Sequence, residues 1–563
     1  MRIRSWCVCA AAVLAALVAV PAGAAQGGRK LDYSLQSLKS GSSERVIIRS
    51  KPGRRAALKQ ALKPCRPRIN GEHPSIDALS VEISSECIQY LLKTDLVDSV
   101  GSDAYVRSTA YDSSSEMTTI PSNTLRSTLG QSEYSTGKGI GVAVIDSGIA
   151  PLPAFGNRIV GFYDFTTTLA LPTSPFDEYG HGTHVAGLIG AYDSVHMGVA
   201  PEVHFLGLRV LDRNGKGWTS NVIRAIEFAV ANKVRFNIRI INLSLGHPIL
   251  APAADDPLVQ AVEAAVRAGL IVAISAGNNG TNPDTDEIGY AGIASPGNAP
   301  SGITVGAVNT NDTVGRGDDF VTPYSSRGPT WYDGFVKPDV VAPGHALISV
   351  TNVNSVLFKK YPALQSRNGG TRYMKLSGSS MATAVTSGVI ATVLQAANWA
   401  STDNSVAPLH LGGNAMKAML QYTALPLNEG DALTQGTGEV NAEGAVRFAR
   451  VATMVAANPD AFLNSPEVLV EASTIGGQTL AWAAHITWGQ TILTGDGLAM
   501  GSAWASNIIW GDNVIWGDNV IWGDNIVWGE NVVWGENLVW GENVVWGEDN
   551  SDKVTTLSIV GAN

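Results

Sequence analysis

Gly141-Val142-Ala143-Val144-Ile145-Asp146-Ser147-Gly148 is a short apolar run that stops at a carboxylate and a turn. A run of that length with no polar alternation reads as a strand buried on both faces. Working outward, four more such runs follow: Val203–Leu211, Ile238–Gly246, Leu270–Asn278 and Gly302–Val308. Between them, Ser220–Asn232 and Pro257–Gly269 carry helical periodicity. Strands alternating with helices from about Tyr134 to Arg450 predict an α/β domain, a parallel sheet with helices on both faces. Open sheets of this kind hold their sites at the carboxyl ends of the strands, where Asp146 falls.

Two further motifs complete a chemical set. Gly180-His181-Gly182-Thr183-His184-Val185-Ala186-Gly187 surrounds a histidine with small residues, which leave an imidazole open and let a helix start beside it. A metal pair from His181 and His184 is the competing reading, but no HExxH pattern is present, and His184 reads as a hydrogen-bonded core histidine. Ser377-Gly378-Ser379-Ser380-Met381-Ala382-Thr383-Ala384 leads into an apolar helix, whose amino end favours negative charge at Ser380. Taken alone, Ser380 reads as an N-cap, Asp146 as a turn cap or magnesium ligand, and Asn278 as a turn residue. Together, a serine, a base and an orienting carboxylate are what nucleophilic peptide hydrolysis needs.

These three motifs, in the order Asp, His, Ser, resemble the subtilisin family, for which that chain order is known. The resemblance covers roughly Tyr134 to Arg450. It implies that Asp146 orients His181, that His181 is general base and then general acid, and that Ser380 forms an acyl-enzyme. Asn278, in Ser275-Ala276-Gly277-Asn278, matches the family's oxyanion residue, with the Ser380 backbone N–H as second donor. Ser379 stands where the family usually has threonine. Substrate would bind by strand addition, with Gly215, Gly217 and Trp218 on one edge and Ser244, Leu245 and Gly246 on the other. Ala273 to Gly277, including Ala276, and Ala294 would line the primary pocket, and the lack of charge there predicts an apolar preference. Catalysis would require no cofactor. Structural calcium is left open, although Tyr192-Asp193-Ser194-Val195-His196 lacks the asparagine-rich loop of calcium-binding subtilisins; the loop acids Asp312, Asp318 and Asp319 read better as solvated charge.

The flanks differ in kind. Residues 1–25 place Arg2 and Arg4 ahead of an apolar run and end in Ala22-Gly23-Ala24, a secretory signal that predicts a secreted or extracellular protein. No later segment reads as a membrane span. Residues 26–115 form a small α+β unit: strands at Glu44–Ser50 and Ala78–Ile83, helices at Arg54–Leu62 and Glu86–Lys93, and an extended piece at Val97–Val106. It resembles the family's inhibitory, fold-assisting propeptide, removed between Val106 and Ser122 in a zymogen scheme. Cys65 and Cys87 lie in it, and spacing leaves both a disulfide and free thiols open. The peptidase domain is assigned to 116–450 and a linker region to 451–505.

From 506 to 550, Trp510, Trp516, Trp522, Trp528, Trp534, Trp540 and Trp546 recur every six residues in a Trp-Gly-(Asp/Glu)-Asn-apolar-apolar unit, ahead of a tail at 551–563. Six is a multiple of the strand period, so the repeats read as β-rich, as stacked coils or short hairpins. A surface-binding or adhesive role for these repeats, through carbohydrate or the cell surface, is the alternative function. The net charge of -10 argues against nucleic-acid partners. Gly137-Lys138-Gly139-Ile140-Gly141 precedes a strand instead of joining strand to helix, which excludes a dinucleotide site. Protein or peptide substrates, and the chain's own propeptide, are the expected partners.

Overall fold

The structure is a computed structural model that describes residues 30–109, 124–282, 285, 287–399, 411–428, 430–457, 470–489 and 491–495, with isolated strands between 519 and 558. The export signal read at 1–25 and the boundary at 115/116 lie outside the described residues.

The amino-terminal unit contains β1 (Ser43–Ser50), α1 (Arg55–Ala61), β2 (Arg68–His73), β3 (Ala78–Ser84), α2 (Ser85–Leu92) and β4 (Val97–Ser102). Its strands form an antiparallel sheet in the order β2-β3-β1-β4. Val46, Ile48, Leu58, Leu79, Val81, Ile88 and Leu91 make its own core, and Cys65 and Cys87 form a disulfide across it. The piece read as one extended segment to Val106 divides at Asp103, and β5 (Tyr105–Ser108) leaves for another sheet. The reason is local. Asp103 turns to accept hydrogen bonds from the Ser220 backbone N–H and hydroxyl, both at 2.7 Å. It thereby caps α5 (Thr219–Asn232), a helix with no side-chain cap of its own.

After the one-turn α3 (Leu125–Thr128), the main sheet is built from β6 (Gly141–Asp146), β7 (Ile159–Asp164), β8 (His204–Arg209), β10 (Ile238–Leu243), β12 (Ile271–Ser275), β14 (Ile303–Asn309), β15 (Phe320–Val321) and β16 (Val340–Pro343). Its order is β15-β14-β12-β10-β6-β8-β7, with β16 also paired to β14. All pairs are parallel except β14 with β15. Successive side chains on a strand face opposite sides, and the buried clusters divide accordingly. Val142 and Val144 of β6 pack with α4 (His181–Gly190) and α8 (Ser379–Trp399). Ala143 and Ile145 pack with α5 and α6 (Pro257–Arg267). The α/β class with a parallel sheet and two covered faces is therefore what the chain adopts.

The short β9 (Lys216–Trp218), β11 (Leu245–Pro248) and β13 (Ala294–Ser295) lie off the main sheet and form a second sheet with β5, in the order β13-β11-β5-β9. α8 is long and apolar enough to cross a membrane, contrary to the sequence reading, but 94% of its apolar window is buried inside the domain. Its hydropathy is that of a core helix.

The region read as a linker at 451–505 is partly packed structure. Ala472–Ile475 and Gln478–Ala481 form a hairpin, and His485–Trp488 follows. Trp482 sits beside Tyr422 and Phe448 in the main core, and Trp488 lies against the Lys417 ammonium. Within the repeats, Asn519–Trp522, Ile526–Gly529, Asn531–Trp534 and Leu538–Gly541 are successive antiparallel strands.

Candidate active site

Asp146 ends β6 at the centre of the sheet, and His181 opens α4 beside it. Both are fully buried, and His181 Nδ1 lies 2.8 and 3.0 Å from the two Asp146 carboxylate oxygens. The approach requires glycine at 182. A Cβ there would lie 2.2 Å from the Gly148 carbonyl oxygen, far inside contact distance. His181 Nε2 has no hydrogen-bond partner among the described residues, so the ring presents one engaged and one free nitrogen.

A second carboxylate fixes this pair. Asp177 Oδ1 accepts from the Ser147 hydroxyl at 3.0 Å and the Gly180 N–H at 2.8 Å, while Oδ2 accepts from the Thr183 N–H and hydroxyl. Ser147 Oγ in turn accepts from the Gly182 N–H. The turn after Asp146 and the start of the His181 helix are thus tied to one carboxyl, whose pKa burial pushes up against the hydrogen bonds of Thr183 and Gly180. Sequence reasoning missed Asp177; the available signal was an acid just ahead of a helix start. His184 is buried, with Nε2 facing the carbonyls of Leu347 and Met374, and burial lowers its pKa to about 3. It is a core histidine.

Ser380 lies in the first turn of α8. Its hydroxyl donates to the Ser244 carbonyl at 3.1 Å and lies 2.6 Å from Thr109 Oγ1. Asn278 is held at both ends of its amide. Oδ1 accepts from the Ser379 N–H at 3.0 Å, which leaves Nδ2 to donate to the Thr109 carbonyl at 2.5 Å. The hydroxyl of Ser379 accepts from the Gly277 N–H, so serine serves where a threonine was expected.

The groove itself is filled by β5. Tyr105 pairs with Trp218, Val106 with Gly217 and Arg107 with Lys216 on one edge; Ser108 pairs with Leu245 and Arg107 with Gly246 on the other. The Thr109 N–H continues the ladder to the Ser244 carbonyl at 3.3 Å. Gly217, Trp218, Ser244, Leu245 and Gly246 are therefore brought together as two edges of one cleft. Gly215 is not; it occupies the turn closed by its N–H on the Asp212 carbonyl, because its positive φ suits a turn and not a strand. A Cβ on Gly277 would lie 3.3 Å from that of Ala294, so the two share a wall, while Ala276 packs with Ile249 and Ile293. The wall is not wholly apolar: Ser275 Oγ is 2.8 Å from Thr109 Oγ1.

The sequence model of the subtilase family matches residues 137–446. The chain belongs to the subtilase family. Subtilases are serine-type endopeptidases. Serine protease AprX of Bacillus subtilis (strain 168) is 38% identical over 324 residues, which span 55% of this chain and 67% of that protein. Intracellular serine protease of Paenibacillus polymyxa is 33% identical over 53% of this chain and 79% of its own length. Subtilisin E of Bacillus subtilis (strain 168) is 34% identical over 47% of this chain and 57% of its own. The crystal structure of fervidolysin from Fervidobacterium pennivorans, described as a keratinolytic enzyme related to subtilisin, superposes with a TM-score of 0.56 at 20% identity. It covers 75% of this subtilase and 63% of that chain, and shows the fold.

The acids considered for calcium are each engaged by donors of the chain itself. Asp193 accepts from the N–H groups of Val195 and His196 and from the Tyr373 hydroxyl. Asp319 is buried against Arg316 at 2.8 Å, in contrast to the solvated acid expected there. Asp312 accepts from Thr124, and Asp318 from Thr313. Among the described residues, no group of three or more His, Cys, Asp or Glu is gathered for a metal ion.

Proposed function

We propose that this subtilase is an exported endopeptidase, made as a zymogen, that hydrolyses peptide bonds through an acyl-enzyme on Ser380. The observation that carries the reading is the amide of Asn278 holding a peptide carbonyl, that of Thr109, beside the Ser380 hydroxyl. His181 Nε2 takes the Ser380 proton as the hydroxyl turns from the Ser244 carbonyl, and then passes it to the leaving amine. Asp146 holds the ring through Nδ1 and stabilises the imidazolium formed. Nδ2 of Asn278 and the backbone N–H of Ser380 receive the developing oxyanion. No cofactor is required for this chemistry.

Residues 26–115 act as the intramolecular inhibitor. Their support for that role is the occupied cleft, together with the hydrogen bonds that Arg45 and Asp103 make to Ser220 and Ser75 to Glu227, both on α5. The adhesive alternative draws no support from the described residues, because the repeat side chains lie outside them.

Hydrolysis of casein by wild type and Ser380→Ala, with intact mass and labelling by a serine-directed phosphonate, tests the reading. Wild type should cleave, label and shed its amino-terminal unit, and the variant should do none of these. A folded wild type, freed of residues 30–109 by another protease and still inert, would sink it.

A further inference from the structure

The groove holds five consecutive residues of this chain, each in a distinct setting. Tyr105 stacks on Trp218 with ring centroids 3.8 Å apart. Val106 is wholly buried among Leu208, Leu243 and Leu245, whereas Arg107 is exposed. Ser108 and Thr109 are half-buried, and Thr109 alone has its carbonyl on Asn278 and its side chain next to the nucleophile. A peptide so placed presents the bond on the carboxyl side of Thr109 to Ser380.

The side chain of Thr109 also meets a specific partner. Ser275, the last residue of β12, is 1% exposed, and Thr109 is the hydrogen-bond partner of its hydroxyl among the described residues. A substrate with valine here would match threonine in shape and leave the Ser275 hydroxyl buried and unpaired. Sites built to hydrogen-bond a substrate hydroxyl discriminate most strongly against such isosteres, because the orphaned polar group loses both water and partner. A large apolar side chain would do the same.

The geometry points to Thr109–Ala110 as the bond this enzyme cuts in its own chain, and to Ser275 as the residue that selects threonine or serine on the acyl side of the bonds it cuts elsewhere. This rests on the peptidase reading above. In the step, Ser380 Oγ bonds to the Thr109 carbonyl carbon and the bond to the Ala110 nitrogen breaks. The serine proton reaches that nitrogen through His181. Water then hydrolyses the ester, leaving a Thr109 carboxylate and restoring the Ser380 hydroxyl.

Two measurements separate this proposal from the one beneath it. Mass spectrometry of the first amino-terminal fragment released by the full-length protein should show it ending at Thr109. Thr109→Ser should process at a similar rate and Thr109→Val about tenfold more slowly; both leave the peptidase domain unaltered. Peptides Tyr-Val-Arg-Ser-Xaa joined to a chromogenic amine, with Xaa threonine, serine, valine, alanine or leucine, should give kcat/KM for threonine about tenfold above valine. In Ser275→Ala that ratio should fall to near one. If the enzyme digests casein but releases a fragment ending elsewhere, or if valine and leucine equal threonine in wild type, this proposal fails while the peptidase reading stands. If nothing is cleaved at all, both fail.

Discussion

Asn278 shows how one residue's orientation is determined by its surroundings. An amide can present oxygen or nitrogen to a substrate; here the Ser379 N–H occupies the oxygen, so the nitrogen faces the carbonyl. Asn278→Ala should therefore lower kcat with little change in KM, by about the 10²–10³ recorded for the corresponding donor in subtilisin. Steady-state kinetics on the peptide series would check it. A second residue-scale device lies away from the cleft, where Arg316 is buried between the carboxyls of Asp319 and Glu439. Two carboxylates and one guanidinium cannot all be charged cheaply in a dry site. Burial, opposed by Arg316, raises Glu439 to about 8, and the neighbouring Asp319 raises it too. Because the folded carboxyl holds its proton above the pH where the unfolded one releases it, the folded state binds more protons from about pH 4.5 to 8. Stability from this group is full below that window and is lost as pH rises through it. Glu439→Gln should flatten the fall in Tm between pH 5 and 8 by about 2–4 °C in a calorimeter. The three motifs that meet at the candidate site were legible in the sequence because each is a compact string with a distinctive neighbour pattern. Asp177 and this charge cluster were not, since their roles depend on what the fold sets against them.

At the scale of elements, apolar runs over 141–145 and 271–274 gave the strands directly, because a strand covered on both faces has no polar positions to blur it. The segment after residue 470 was harder. Its three strands are four residues each, too short to establish a period. Yet Trp482 donates from Nε1 to Ser473, packs against the helix Ala442–Ala457 through Arg447 and Phe448, and is 5% exposed. Trp482→Ala should cost about 3–5 kcal/mol, visible as a lower urea midpoint, as expected for emptying a large aromatic site. An exposed linker would show almost no change.

Across the whole molecule, the amino-terminal unit is both self-contained and shared. It has its own core, while Ile47, Ile76, Ala78 and Val106 belong to the core formed with α5 and α6. Sequence could separate this unit by composition and pattern, but it could not reveal that one strand of it would leave and lie in the cleft of the next. On the reading proposed above, that strand is a substrate covalently attached to its enzyme. Its effective concentration at Ser380 is then a property of the fold, so dilution cannot reduce it. Self-cleavage should be first order, with a half-time unchanged when the protein is diluted a hundredfold and followed by gel. The onset of activity on casein should instead depend on concentration, because the severed unit remains docked until it dissociates or is digested by a molecule already free. Cutting and switching on are thus separate clocks, the first internal to each molecule and the second set by the population.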